Sequence, residues 1–279
     1  MIHSIFAKFA GKITLNPLDR KIRIGAVSYL NTKPLIYGLS RHPVKDEIDL
    51  IVDYPAHIAG MLLRGQIDVG LVPVAIIPEL KESYIITDYC IGSDGPVDSV
   101  AIFSEQPLES INTIILDYQS RTSVMLSRVL MQEYWKKQVT WKDAQGEEFL
   151  QQIKDDVAGV VIGDRALKQK TISKYMYDLG LAWKNQTGLP FVFAAWISNK
   201  ELPEDFLTAF NEANQMGFNN LEEVVSMENY DHSALGKYYT ENISYELNAE
   251  KRKGLELFLA KMQLLNRTNE ILAPTDSRG

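Results

Sequence analysis

Short β-rich runs alternate with proline-opened helical stretches along the first part of the chain, and this rhythm restricts the fold more than any other feature of the sequence. Lys21-Ile22-Arg23-Ile24-Gly25-Ala26-Val27 reads as a strand that stops in the polar turn Ser28-Tyr29-Leu30-Asn31-Thr32-Lys33. Pro34 then falls in a first helical turn, where a missing N–H costs nothing, and Leu35, Ile36 and Leu39 follow as its apolar face. The unit repeats with a strand near Ile48 to Val52, a helix from Pro55 through Leu63, Gly65 as its C-cap, and the buried strand Val69-Gly70-Leu71-Val72. Strand-helix-strand units of this kind build parallel sheets covered by helices, so an α/β body is expected.

The rhythm restarts after Phe103. Tyr84 to Ile91 and Val97 to Phe103 are strand-like and are separated by the turn Gly92-Ser93-Asp94-Gly95-Pro96. Thr113 to Leu116 reads as a strand, Asp117 to Arg121 as a loop, Thr122 to Trp135 as a helix, Glu147 to Lys154 as another, and Ala158 to Ile162 as a strand before the loop Gly163-Asp164-Arg165. A return strand, Phe191 to Ile197, leads into helical text through Met262, where strands are expected to cease. Two βα series joined by extended segments at about 101–110 and 195–203 predict two lobes with a double crossover and a cleft between them. The division read this way is 21–103 with 203–279 for the first lobe, 104–202 for the second, and 1–20 as an N-terminal extension; 279 residues suit about two domains' worth of chain.

Charge decides which ligands such a cleft can take. Lys and Arg number 29 against 36 Asp and Glu, a net charge of −7, which argues against the broad basic surface that nucleic acid or an anionic membrane requires. An anionic ligand therefore needs a local trap. Cys90, the single cysteine, has no internal disulfide partner, and the four histidines show no metal-ligand spacing, so structural zinc is not expected. No apolar run reaches the ~18 residues of a membrane span. The mildly apolar start is interrupted by Lys8, so residues 1–20 read as a loose or amphipathic extension of a cytoplasmic protein. Oligomeric state is left open.

Ligands on open α/β sheets sit outside the carboxyl ends of the strands, which directs attention to the loops after Val27, Ile91, Leu116 and Ile162. Ser120, Arg121, Thr122 and Ser123 bring three hydroxyls, a guanidinium and free backbone N–H groups to a helix start, either as a plain N-cap with Arg121 in solvent or as an anion trap. The turn from Ser93 through Gly95 to Ser99 is either a hairpin turn or a place where a ligand approaches the backbone. Tyr29 and Asn31 offer a phenol and an amide from a strand end, as cleft groups or as turn and packing residues. Gly163 and Asp164 read as a helix cap or as a cleft wall of the second lobe.

Read in order, Val27-Ser28-Tyr29-Leu30-Asn31-Thr32-Lys33-Pro34-Leu35, Asp68-Val69-Gly70-Leu71-Val72-Pro73-Val74, Cys90-Ile91-Gly92-Ser93-Asp94-Gly95-Pro96-Val97-Asp98-Ser99-Val100, Asp117 to Val124, Ile162 to Leu167, and Tyr177 to Ala194 resemble the chorismate dehydratases of the futalosine route to menaquinone. The resemblance spans about residues 21–262; Ala75-Ile76-Ile77 departs from it, and residues 1–20 have no counterpart. It implies a two-lobed α/β fold like type II periplasmic binding proteins, with chorismate as small-molecule substrate and a hydro-lyase reaction giving 3-[(1-carboxyvinyl)oxy]benzoate without metal or cofactor. It implies Asn31 and Ser99 as catalytic positions, and Tyr29, Ser93, Gly95, Ser120, Arg121, Thr122, Ser123, Gly163 and Asp164 as substrate-binding ones. A neutral carboxamide is far too weak a base to take a carbon-bound proton, so Asn31 is expected to orient, and a carboxylate of the substrate to accept the proton. The alternatives are a non-catalytic solute-binding protein of the same architecture and the sister 1,4-dihydroxy-6-naphthoate synthase. The latter typically begins with a Ser-Pro-Cys-Pro-Asn-Asp-type segment where this chain has Ser28-Tyr29-Leu30-Asn31.

Overall fold

β1 (Ile22–Val27) is buried along nearly its whole length, because it lies between two parallel neighbours, β2 (Ile48–Asp53) and β3 (Val69–Pro73), with Ile24 opposite Leu50 on one side and Val69 on the other. The computed structural model describes residues 20–272, so the extension expected over residues 1–20 lies, apart from Arg20, outside the described residues. The crossovers between these strands carry α1 (Lys33–Tyr37) and α2 (Pro55–Leu63), each opened by its proline. β4 (Tyr84–Ser93) completes the first series.

A second series follows, with β5 (Val100–Ser104), β6 (Thr113–Leu116), α3 (Thr122–Glu133), β7 (Thr140–Asp143), β8 (Val157–Ile162), α4 (Asp164–Gln169) and β9 (Tyr175–Asp178). The chain then returns through α5 (Leu179–Thr187) and β10 (Phe191–Ser198) to α6 (Glu204–Asn219), α7 (Leu221–Ser226), α8 (His232–Lys237), β11 (Ser244–Glu246) and α9 (Ala249–Leu272). Among the described residues one sheet has the order β11-β4-β10-β3-β1-β2 and the other β7-β6-β8-β5-β9. No described helix is long and apolar enough to cross a membrane.

Sheet membership shifts the expected crossovers. β5 pairs with β8 and β9 and so belongs to the second sheet, whereas β10 lies antiparallel between β3 and β4 in the first. The chain therefore passes between sheets at 94–99 and again through α5, not at 101–110 and 195–203. Both strands are apolar on both faces, and such a run reads alike in either sheet. Three strands went unanticipated: β7, β9 and β11 are short and lie at sheet edges, and β11 shows that strands do not cease after Ile197. The helix expected over Glu147 to Lys154 is a 3-10 turn at Glu147–Gln152.

Helices from the C-terminal stretch cover the first sheet and reach the second series. α6 lies against α1, where a Cβ on Gly217 would fall 1.8 Å from the Pro34 carbonyl oxygen, so only glycine admits this approach. α9 packs on β10 and on α3, and Lys261 of α9 pairs with Glu133 of α3. At the seam Trp183 of α5, Phe191 of β10 and Phe258 of α9 pack edge-to-face, with ring centroids of 5.2 Å for Trp183–Phe191 and 5.0 Å for Phe191–Phe258.

Far from the cleft, a buried carboxylate ties the opposite ends of the central strands together. Asp68, 2% exposed, accepts from Arg20 at 2.7 and 2.9 Å, from the Arg23 backbone N–H at 2.9 Å, and pairs with Lys200 at 2.6 Å. Burial pushes its carboxyl up, but hydrogen bonds from Arg20, Arg23 and Lys200 overcome this and hold it well below the ordinary carboxylate range. Its stabilising contribution is then complete above the unfolded-state value near ~4 and is lost as pH falls below it. Asp68→Asn is expected to cost about 2–3 kcal/mol at pH 7 through loss of charged hydrogen bonds. Urea midpoints should show this gap steady between pH 5 and 8 and closing toward pH 2; a gap independent of pH would contradict it.

Candidate active site

Both series end their parallel strands toward one cleft, and the loops leaving them line a cavity with a water-accessible volume of about 60 Å³. Val27, Pro73, Ile91, Val97 and Phe193 form apolar wall, and the polar lining comes from Tyr29, Asn31, Ser99, Ser120, Thr122 and Ser123, with Gly163 beside them. Every side chain that lines it is neutral. Asn31, Ser99, Thr122 and Ser123 are buried, so hydrogen bonds made to a ligand here form in a largely water-free setting.

The turn after β1 places Asn31. Residues Leu30–Thr32 form one 3-10 turn, the Tyr245 hydroxyl donates to the Asn31 carbonyl at 2.9 Å, and the Thr32 hydroxyl donates to Asn31 Oδ1 at 3.3 Å. With Oδ1 accepting from Thr32, the amide presents its N–H groups as donors. The Leu30 N–H donates across the cleft to Asp164 Oδ1 at 3.2 Å, which fixes this turn against the second lobe. Burial pushes the Asp164 carboxyl up from its ordinary value, opposed by that N–H and by Lys33.

The start of α3 realises both of its sequence readings. Ser120 Oγ accepts the Ser123 N–H at 3.1 Å, a capping contact, while Ser120, Thr122 and Ser123 all face the cavity. Thr122 Oγ1 also accepts the Ala75 N–H from the first lobe at 3.2 Å. A helix of 12 residues directs its positive end here, so the site favours an anion without a formal charge in its wall.

Other expected residues lie elsewhere. Arg121 turns from the cavity to form an exposed ion pair with Glu79 at 2.9 Å, so the guanidinium is not part of the lining. Ser93 is buried at the end of β4 with no hydrogen-bond partner for its Oγ among the described residues, and Gly95 stands in the first crossover at φ 130°; neither lines the cavity. Asp164 acts behind the wall, on Leu30.

Four residues that composition and spacing did not single out hold the lining in place. Tyr29 donates its hydroxyl to Gln119 Oε1, which also accepts from Arg165 Nη2 at 2.8 Å, and Arg165 pairs at 2.8 Å with the fully buried Asp117. Burial pushes the Asp117 carboxyl up; Arg165 and the N–H groups of Gln119 and Ile162 oppose it. Burial also raises the Tyr29 phenol, which keeps it a donor at neutral pH. Asp117, Gln119 and Arg165 sit in loop text next to residues already suspected, whereas Tyr238, which donates to Ser99 Oγ at 2.7 Å, comes from a helical stretch with no distinguishing pattern.

Comparison with known proteins adds three findings. A model of a menaquinone biosynthesis family matches residues 22–263. A chorismate dehydratase of Thermus thermophilus is 27% identical over 264 residues, covering 86% of this chain and 95% of the relative, and one of Campylobacter jejuni is 25% identical over 251 residues, covering 87% and 98%. Among solved structures, a protein of Archaeoglobus fulgidus superposes with a TM-score of 0.72 at 12% identity over 89% of this chain and 98% of that one. The periplasmic aliphatic sulphonate binding protein of Escherichia coli gives 0.56 at 13% identity over 90% and 88%. The fold is that of the periplasmic binding proteins.

Gly163 makes the geometry testable without a ligand. Its φ is +63°, and a Cβ there would lie 2.9 Å from two carbons of the Tyr29 ring. Gly163→Ala is expected to destabilise the protein by about 1–3 kcal/mol, because φ +63° with ψ −146° is a backbone conformation essentially reserved for glycine, and a crystal structure should show the Tyr29 ring displaced. Urea denaturation measures the first, and a midpoint equal to wild type would contradict it; an unmoved ring would mean that Tyr29 does not press on this backbone.

Proposed function

The chain belongs to the menaquinone biosynthesis family, and on that premise we propose that it is a chorismate dehydratase, a carbon–oxygen hydro-lyase that removes water from chorismate to give 3-[(1-carboxyvinyl)oxy]benzoate. The observation that carries the reading is the neutral, buried, hydroxyl-rich cavity at the start of α3, lined also by Asn31 and Ser99. Chorismate is a dicarboxylate, and a protein of net charge −7 binds it best through a local device such as this helix end. A biosynthetic role also fits the cytoplasmic location expected from the sequence.

The reaction asks little of the protein beyond positioning. The electron pair of the C3–H bond becomes the third double bond of an aromatic ring, the C4 hydroxyl departs, and the proton ends on it as water. We assign the role of proton acceptor to the enolpyruvyl carboxylate, which hangs from the oxygen on C3. No carboxylate or imidazole lines the cavity to compete for that role, and a carboxamide is no base. Ser120, Thr122 and Ser123 fix the substrate's charge at the helix start, and Asn31 with Ser99 supplies donors to the departing oxygen, held in place before the reaction begins.

Incubation with chorismate should abolish the ultraviolet absorbance of its diene while the benzoate product accumulates; binding without turnover would leave a solute-binding protein. Asn31→Ala should lower turnover by roughly 10²–10³, the scale for loss of one preorganised donor, with product affinity much less affected. Asn31→Asp should also be slower than wild type, since it sets a negative charge beside a dianion; a faster Asn31→Asp enzyme, with a rate rising through a carboxylate pKa, would make an enzyme base limiting. Thr122→Ala with Ser123→Ala should weaken product binding by about 1–3 kcal/mol in calorimetry, and equal affinity would reduce this helix start to a cap.

A further inference from the structure

Ser99 is joined to the C-terminal part of the chain through a residue the elimination has not yet been given. After α8 the backbone widens into a π-turn at Tyr238–Asn242, closed by the Ile243 N–H on the Tyr238 carbonyl at 3.0 Å. Single π-turns interrupt helices mostly where a side chain must be set for function. This one delivers Tyr238 into the interior, 5% exposed, with its hydroxyl 2.7 Å from Ser99 Oγ. The Asn242 amide donates to Asp98 at 3.2 Å and the Tyr245 hydroxyl to the Asn31 carbonyl at 2.9 Å, so one short segment grips both polar groups at the centre of the cavity.

The direction of the hydrogen bonds gives the contact its meaning. Asn31 Oδ1 accepts from Thr32, and the amide can direct one N–H to the Tyr238 phenol oxygen and keep the other for the cavity. With an Asn31 N–H on its oxygen, the phenol's own proton is directed to Ser99 Oγ, 2.7 Å away. A serine hydroxyl carries one proton, and with its oxygen accepting from Tyr238, that proton is left for an acceptor in the cavity that Ser99 lines. Buried as it is, the phenol is held above its ordinary range and stays a donor at neutral pH.

We propose that Tyr238 is a positioning residue that fixes Ser99 as a hydrogen-bond donor aimed at the oxygen leaving C4 of the substrate. It rests on the reading of the cavity as a dehydratase site. Tyr238 touches no reacting atom; it removes the alternative in which Ser99 turns its proton inward and presents only lone pairs to a departing hydroxide. The proton lost from C3 still ends on that hydroxide, which leaves as water, so the Tyr238–Ser99 pair shifts hydrogen-bond strength and consumes no reagent.

Tyr238→Phe removes the donor and keeps the ring. Steady-state kinetics should show kcat reduced about tenfold, the scale of one hydrogen bond, with KM and product affinity near wild type. In a Ser99→Ala background the same change should have almost no further effect, because the two residues act as a unit. Wild-type kcat in Tyr238→Phe, or effects of the two changes that multiply in full, would overturn the proposal. A wild-type enzyme that leaves chorismate unchanged would overturn the dehydratase reading and the proposal with it. A second test needs no altered packing: 3,5-difluorotyrosine at position 238 makes the phenol more acidic, with Asp98, Asp164, Tyr239 and Tyr245 as the titratable groups facing it. Turnover should then fall at a lower alkaline pH than in wild type, and coincident profiles would overturn the proposal.

Discussion

One carboxylate, that of Asp178, governs how the two sheets are joined. Asp178 closes β9 and accepts the N–H groups of Val97 at 2.9 Å and Asp98 at 2.7 Å from the first crossover, and that of Leu181 at 2.9 Å from α5, which forms the second. Burial pushes this carboxyl up, and the three backbone donors work against it. Held this way, Asp98 adopts φ 63°, a left-handed geometry costly for a residue with a Cβ, and the chain turns sharply into β5. Ser99 follows directly, its carbonyl accepting the Gly163 N–H at 2.8 Å and its Oγ meeting Tyr238. The position of a central cavity residue is thus a consequence of how the chain crosses between lobes.

Electrostatics follows the same economy. Three cations on loops around the cleft carry ion pairs, Arg165 with Asp117, Arg121 with Glu79, and Lys33 with Glu228, while Arg165 Nη1 is buried with no hydrogen-bond partner among the described residues. A bare buried cation in the wall would carry a desolvation cost of several kcal/mol whenever the site stood empty. Hydroxyls and the end of α3 carry no such cost and still favour an anion. Three contacts with at least one neutral partner, Ala75 with Thr122, Leu30 with Asp164 and Tyr29 with Gln119, bridge the lobes beside the cavity.

Buried apolar elements were legible in the sequence and half-exposed edge strands were not. β6 and α2 fall where apolar spacing and Pro55 place them, since parallel strands and helix starts have strong local signatures. β10 was legible as a strand but not as a member of the first sheet, because that depends on its pairing with β3 and β4 far away in sequence. β7, β9 and β11 have three or four residues each and take their shape from one neighbour. Loop position after strand ends indicated Tyr29, Asn31, Ser99, Ser120, Thr122, Ser123 and Gly163, which all line the cavity. It also indicated Arg121, whose orientation is set by Glu79, a partner that spacing does not reveal. Tyr238 left no local trace, because its role arises only when a π-turn brings it against Ser99.

The central claim is that substrate charge is held by the hydroxyl-lined start of α3 and not by a side-chain cation. A crystal structure of the protein with 3-[(1-carboxyvinyl)oxy]benzoate tests it most directly. The account predicts one carboxylate of the ligand within hydrogen-bond distance of Ser120, Thr122 and Ser123, the ring against Phe193, and Arg121 still paired with Glu79. A ligand carboxylate bound instead by Arg121 or Arg165, with the α3 start in contact only with water, would contradict it.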